Sequence, residues 1–436
     1  MAFFFTCLPA YLFTCIPVNI TLPYGHSYLK ARFPDEFGVD IIEAPQTPAA
    51  ANPLDVVHAA LDDPLGEVDW SDFVGAKSVA IAVNDKTRPV PHQYLLPPLL
   101  KRLASLGIPD QAISFYVAVG THPPMIPTEF PAILPEAIVQ RYRVVSHNAE
   151  DDENLIYLGE TSRGTPVWVN RDYAQAERKI VVGNIEPHQF VGFSGGVKSA
   201  AIGLAGLETI NHNHALMAHP DSKLGEYESN PARQDVEEIG RKIEIHMALN
   251  AVLNQGKQIV HALAGAPVAV IEKGIHYSRK ICQVAVPQQY GVMISSPGGY
   301  PKDINVYQAQ KGLAHASLVT RPGGTIILVA ACNQGSGSSH YEEWMADKAS
   351  YEEVIQSFQR EGFRIGPHKA YQIARDAAQF NLMTFSELDE KMAQKLLLNP
   401  IADFQSAINL ALADLEPNER IGILLHASST IPYLKE

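Results

Sequence analysis

Short polar strings interrupt an otherwise apolar pattern, and each carries groups able to hold an anion, move a proton or attack carbon. "NDKTRP" brings Asp85 and Arg88 together ahead of Pro89. A guanidinium offers a planar fork to a carboxylate and Asp85 could orient it, the plainer alternative being a turn-stabilising ion pair. "GTHPP" and "EPHQF" place His122 and His188 just after β-like runs. Imidazole exchanges protons near neutral pH, so two histidines in matching positions are candidates for a general acid/base pair. His26, His58, His92 and His147 lack that context and read as surface or packing residues.

"FVGFSGGVKSAAIGLAGLETINHNH" resembles a phosphate loop but fails the pattern, because Val197 separates Gly196 from Lys198. Ser194, Gly195 and Gly196 could still present backbone N–H groups to an anion at a helix start, or form a plain turn capped by Ser194. Lys198 is a candidate nucleophile or covalent anchor, since an amine released from its proton attacks carbon readily. His212 and His214 are two apart, so on a helix they face different ways and only one shares a direction with Lys198. That spacing argues against a two-histidine metal site. "GGYPKDINVYQAQKG" supplies Tyr307, Gln308 and Lys311; the last two are three apart and share a helix face, able to meet substrate oxygens or simply solvent.

The elements that must position these groups alternate in type. β-rich runs fall at 78–84, 113–119, 142–147, 179–185, 291–296, 325–331 and 421–427, and helical patterns at 196–218, 232–242, 266–279, 304–318, 351–361, 367–379 and 402–414. The alternation predicts an α/β protein of two domains with largely parallel sheets, at 18–280 and 281–436, the second Rossmann-like. The polar strings follow strands, where open α/β sheets bind ligands. An active site in the cleft between the domains is expected.

A formal net charge of −13 and the lack of a basic run argue against a nucleic-acid or membrane-surface partner. The four cysteines show no C-x-x-C spacing, so no zinc site or disulfide framework is implied and a reducing cytoplasm is expected. Residues 1–17 are apolar but interrupted by Pro9 and Pro17, without a basic start or small-residue cleavage site. They read as a poorly ordered extension, a secretion signal being the alternative.

Taken together, "DKTRP", "GTH", "EPHQFVGFSGGVKS", "GLETINHNH", "GGYPKDINVYQAQK" and "GPHKAY" resemble the nickel-dependent lactate racemase family in order and spacing, from Val18 to Tyr371. The resemblance implies a nickel-pincer nucleotide held covalently through Lys198, its phosphate cradled by the glycine loop at Ser194, Gly195 and Gly196, with His214 as the protein's nickel ligand. It further implies His122 and His188 as catalytic bases on opposite faces of a 2-hydroxy acid, Arg88 on the substrate carboxylate with Asp85 supporting it, and Gln308 and Lys311 on substrate oxygens, with Tyr307 nearby. Cofactor-maturation enzymes are implied as partners. The family often has Arg after the histidine of "GTH"; Pro123 stands there, so a 2-hydroxy acid other than lactate is expected. The rival classes are a nicotinamide-dependent dehydrogenase, whose G-x-G-x-x-G fingerprint is not found, and a non-catalytic binding protein, which would not need Lys198 or paired histidines.

Overall fold

The apolar runs become parallel strands covered on both faces. In a computed structural model describing residues 18–34, 37–413, 415–416 and 419–435, Val79–Asn84 alternates Val79, Ile81 and Val83 into one core and Ala80 and Ala82 into another. A strand buried on both sides cannot alternate with polar residues, which is why these segments read as continuous apolar runs. The expectation for residues 1–17 lies outside the described residues.

Two compact units are distinguished. The larger spans 44–284 and 354–368. Its six-stranded sheet has the order Ile259–Gly265, Met247–Leu253, Arg178–Asn184, Val79–Asn84, Ile113–Ala118, Arg143–Ser146. All neighbours are parallel except the antiparallel pair at the Ile259–Gly265 edge. From Val79–Asn84 the chain winds outward through Ile113–Ala118 and Arg143–Ser146, then returns to start Arg178–Asn184 on the other side. The order therefore reverses between Val79–Asn84 and Arg178–Asn184, and such a switch point opens a crevice at the carboxyl ends.

The smaller unit comprises, among the described residues, 18–43 together with 285–353 and 369–435. Its five-stranded sheet is parallel throughout, ordered Asn381–Phe385, Thr320–Val329, Tyr290–Ser295, Arg420–Leu424, Gly38–Ile42. Residues 18–43 thus belong with this sheet and not with the N-terminal domain expected at 18–280. The hairpin Val18–Tyr24/Ser27–Phe33 packs Ile20, Leu22, Ala31 and Phe33 against Val292, Ile294 and Ile327. Segment 354–368 likewise joins the larger unit. Both assignments follow from packing partners remote in sequence.

The continuous helix expected over 196–218 is broken into Lys198–Ala201 and Leu207–Ala215. Between them the backbone pairs sideways: the Asn170 N–H donates to the Leu204 carbonyl at 2.8 Å and the Gly206 N–H to the Trp168 carbonyl at 2.9 Å. Those tertiary bonds replace helical ones. Among the described residues no helix is long and apolar enough to cross a membrane.

Candidate functional site

In the larger unit Asp85, Arg88 and His122 lie on loops after strands of the sheet, His188 on the short strand Pro187–His188, Lys198 at a helix start and His214 in the last turn of helix Leu207–Ala215. Asp85 follows Val79–Asn84 and is buried. His122 follows Ile113–Ala118, with its N–H donating to the Val119 carbonyl at 3.1 Å. Its Nδ1 lies 2.7 Å from Asp85 Oδ2. A carboxylate only accepts, so Nδ1 carries the proton, and the free Nε2 is the atom left for proton exchange. The Thr87 hydroxyl donates to the other Asp85 oxygen at 2.8 Å. Burial tends to raise the Asp85 pKa, but the bonds from His122 and Thr87 and the nearby Arg88 charge outweigh it and hold the carboxyl below its usual range. Asp85 therefore orients His122, where the sequence reading had it supporting Arg88. Arg88 is exposed and has no ion pair among the described residues.

Lys198 opens the short helix after the glycine turn and is partly buried. Desolvation, then the positive charges of Arg88 and Arg233, push its ammonium down from 10.5 to about 7. A substantial fraction is the free, nucleophilic amine at neutral pH. Gly195 has φ +85°, and a Cβ there would stand 2.5 Å from Ile185 Cγ1; no other residue type fits this turn without displacing its neighbours.

The turn's amide groups point inward. The Gly196 N–H donates to Asn250 Oδ1 at 2.7 Å and the Ser194 N–H to the Glu186 carbonyl at 2.8 Å. The Ser194 hydroxyl lies 3.1 Å from the Asn184 carbonyl. Arg233, fully buried, donates to the carbonyls of Phe193 and Gly195 at 2.9 and 3.2 Å and pairs with Glu237. As far as Ser194 and Gly196 are concerned, the expected phosphate cradle is corrected: these N–H groups hold the loop that presents Lys198. Sequence reasoning missed Asn250, whose only signal is polarity inside the apolar strand Met247–Leu253, and Arg233, one of several charges on its helix and without any signal of its own.

His212 and His214 part company as helical spacing requires. His212 is exposed, its Nδ1 2.9 Å from the Thr165 hydroxyl. His214 turns into a row of rings: its centroid is 4.9 Å from Phe190 and 5.0 Å from Phe363, while Phe190 is 4.9 Å from His188. His214 Nδ1 lies 3.1 Å from Asn213 Oδ1. Desolvation first, then the charges of Lys198, His368 and Arg88, hold its pKa well below the ordinary imidazole value, so it is neutral and able to ligate.

His188 sits in the two-residue pairing Pro187–His188 with Gly192–Phe193. His92 and His147 are buried and bonded to the carbonyls of Ile133 and Ala205 at 2.8 and 2.9 Å, packing residues as expected. Tyr307, Gln308 and Lys311 lie on helix Val306–Ala316 of the smaller unit. There Lys311 donates to Gln308 Oε1 at 2.9 Å and Lys369 stands 4.7 Å above the Tyr307 ring.

A doubly wound unit presenting an aspartate–histidine pair, a near-neutral lysine and a neutral histidine defines an enzyme site with acid/base and covalent capacity. Matches to known proteins make the class specific: the lactate racemase N-terminal domain matches residues 24–225 and the lactate racemase C-terminal domain residues 286–431. Lactate racemase of Lactiplantibacillus plantarum is 32% identical over 76% of this chain and 78% of its own. That of Thermoanaerobacterium thermosaccharolyticum is 29% identical over 95% of this chain and 99% of its own. The solved lactate racemase apoprotein of the latter organism superposes with TM-score 0.86 at 28% identity, covering 96% of this chain and all of that one. A Thermotoga maritima structure, 18% identical with TM-score 0.63 over 90% of this chain and 100% of its own, shares the fold. The protein is a racemase, and hence an isomerase. It belongs to the lactate racemase family.

Proposed function

We propose that the protein inverts C2 of a small 2-hydroxy acid, as a lactate racemase does, using a nickel-pincer nucleotide joined covalently to Lys198. The observation that carries this reading is that Lys198 opens the helix beyond the glycine turn with its amine biased toward the free form, while His214 has Nδ1 held at Asn213 and is biased toward its neutral form, one able to be acylated and the other to ligate. The donor chemistry fits the group: His214 has Nδ1 engaged by Asn213, leaving Nε2 for a metal. Among the described residues no group of three or more His, Cys, Asp or Glu side chains is arranged to hold a metal, so most of a nickel's ligands here would have to come from the nucleotide, with His214 as the protein's ligand. A neutral nitrogen ligand suits square-planar Ni(II). When bound, such a nucleotide would supply an electrophile able to accept hydride.

The chain's own residues do the rest. Arg88 fixes the carboxylate by its guanidinium fork. His122 Nε2 takes the hydroxyl proton, while Asp85 holds Nδ1–H and stabilises the imidazolium that forms. The carbonyl product is planar, so returning hydride to C2 and a proton to the oxygen from the other side calls for a second acid/base group as proton donor, which we assign to His188. Gln308 and Lys311 are assigned to substrate oxygens on family resemblance. Maturation enzymes would supply the nucleotide, in the cytoplasm.

Protein purified from its own host should carry a mass adduct on the peptide containing Lys198, with nickel stoichiometric to it, both lost in Lys198→Ala. Fully active wild-type enzyme with an unmodified Lys198 would overturn the proposal.

A further inference from the structure

Behind His214 lies a buried hydrogen-bond chain whose directions can be deduced without placing any hydrogen by assumption. Asp235 is wholly buried and accepts from three side chains: Thr161 Oγ1 at 2.6 Å, Thr165 Oγ1 at 2.9 Å and Asn213 Nδ2 at 2.9 Å. Asn213, also wholly buried, directs the same Nδ2 at the Ala232 carbonyl, 3.0 Å away. A carboxylate and a carbonyl both accept only, so this end of the amide must be nitrogen. The other end is therefore oxygen, and it faces His214 Nδ1 at 3.1 Å. Nδ1 must then carry the proton. The lone pair of His214 is confined to Nε2.

The same logic runs along a second branch. The Thr165 hydroxyl spends its one proton on Asp235, so at 2.9 Å it accepts from His212 Nδ1. One buried carboxylate thus sets both histidines.

We infer that Asp235, acting through Asn213, is a positioning residue that locks His214 in the Nδ1–H tautomer with Nε2 outward. The catalytic consequence rests on His214 being the metal ligand as proposed above; the tautomer does not. Ligating histidines characteristically donate their second nitrogen to a fixed acceptor, and losing that acceptor costs about 10–100-fold in metal affinity or activity. Here the acceptor is an amide, and the carboxylate behind it, together with the Ala232 carbonyl, holds the nitrogen end away from the ring.

The test is nitrogen-15 NMR of histidine-labelled protein lacking the nucleotide, with the His214 signals assigned by their absence in His214→Gln. Wild-type His214 should show a pyrrole-type Nδ1 and a pyridine-type Nε2. Asn213→Leu, similar in size but without the acceptor, should move His214 toward the Nε2–H form. Asp235→Leu, which removes the carboxylate and leaves only the Ala232 carbonyl to hold the amide, should give a mixture of the two forms, whereas Thr165→Val should leave His214 in the Nδ1–H form. A folded Asp235→Leu protein with His214 wholly Nδ1–H would remove Asp235 from the positioning role. A purely structural role would lower melting temperature in all three without this pattern. In cofactor-loaded enzyme, Asn213→Leu should lower kcat by about 10–100-fold with KM little changed. A wild-type His214 found as Nε2–H overturns the inference even if no variant folds. So does an Nδ1–H tautomer that persists in a folded Asn213→Leu protein. If instead the tautomer is as stated and nickel is absent from native enzyme, the proposed function fails and the positioning role of Asp235 stands.

Discussion

At the scale of the residue, Lys198 is the group whose chemistry depends most on its surroundings. Its folded value of about 7 lies below the ordinary 10.5. The unfolded chain therefore binds the extra proton between about pH 7 and 10.5, and stability rises with pH across that window. The penalty is complete below about 7 and relieved toward 10.5. In urea unfolding of cofactor-free protein, Lys198→Met should stabilise clearly at pH 6 and little at pH 10. A small acylating reagent should label Lys198 with a half-maximal rate near pH 7, and Arg88→Ala should move that midpoint upward by removing a neighbouring positive charge. An unshifted midpoint in that variant would show that Arg88 does not act on the amine. At the adjoining dyad, His122→Ala should lower kcat by about 10²–10⁴-fold, the usual contribution of a general acid/base group. Asp85→Asn should reproduce much of that loss, because an amide facing Nδ1 with its nitrogen end would reverse the tautomer.

The glycine turn and the helix it launches work as one element, fastened from beneath by Asn250 and Arg233. Gly195→Ala would put a methyl group 2.5 Å from Ile185 Cγ1 at φ +85°. Strain of this kind costs about 1–3 kcal/mol, and the fall in denaturation midpoint should be accompanied by loss of the Lys198 adduct. Arg233→Met should cost about 3–5 kcal/mol, since it strands the buried Glu237 carboxylate. The double variant Arg233→Met/Glu237→Leu should recover part of that stability but not the adduct, because the carbonyls of Phe193 and Gly195 would still lack their donor. Recovery of both would mean that the pair matters only for folding.

For the whole molecule, the proposed function puts the reaction at C2 of a hydroxy acid, and the decisive measurement is the fate of the C2 hydrogen. In D₂O the inverted product should retain its C2 hydrogen, and substrate deuterated at C2 should turn over more slowly. Rapid solvent deuterium at C2 would point to proton abstraction instead. The two nearby racemases are lactate enzymes, whereas Pro123, exposed beside His122, occupies the position where the family often has Arg. Comparing kcat/KM for lactate, malate, and longer aliphatic, aromatic and sugar-derived hydroxy acids should rank another acid above lactate. A clear lactate preference would show that Pro123 has no part in specificity.

Much of this protein was determined by sequence alone, for a physical reason. Buried parallel strands demand unbroken apolar runs such as "VAIAVN" and "KIVVGN", and turns with positive φ demand glycine, so strands, most helices and the polar strings at strand ends were legible. Helical geometry likewise separated His212 from His214 before any fold was known. Of the two main sheets, strands Met247–Leu253, Ile259–Gly265, Gly38–Ile42 and Asn381–Phe385 went unread, as did the hairpin Val18–Tyr24/Ser27–Phe33. The helix over 196–218 was read as one piece because its apolar periodicity is local, while the bonds that break it come from Trp168 and Asn170. Tertiary structure alone decided which sheet residues 18–43 would join, that Asp85 serves His122, and that the loop's N–H groups at Ser194 and Gly196 face inward. It also decided that Asp235, remote in sequence and ordinary in composition, stands behind His214. Each depends on a partner brought close only by folding, and a hydrogen bond's direction is set by that partner, not by the spacing of residues along the chain.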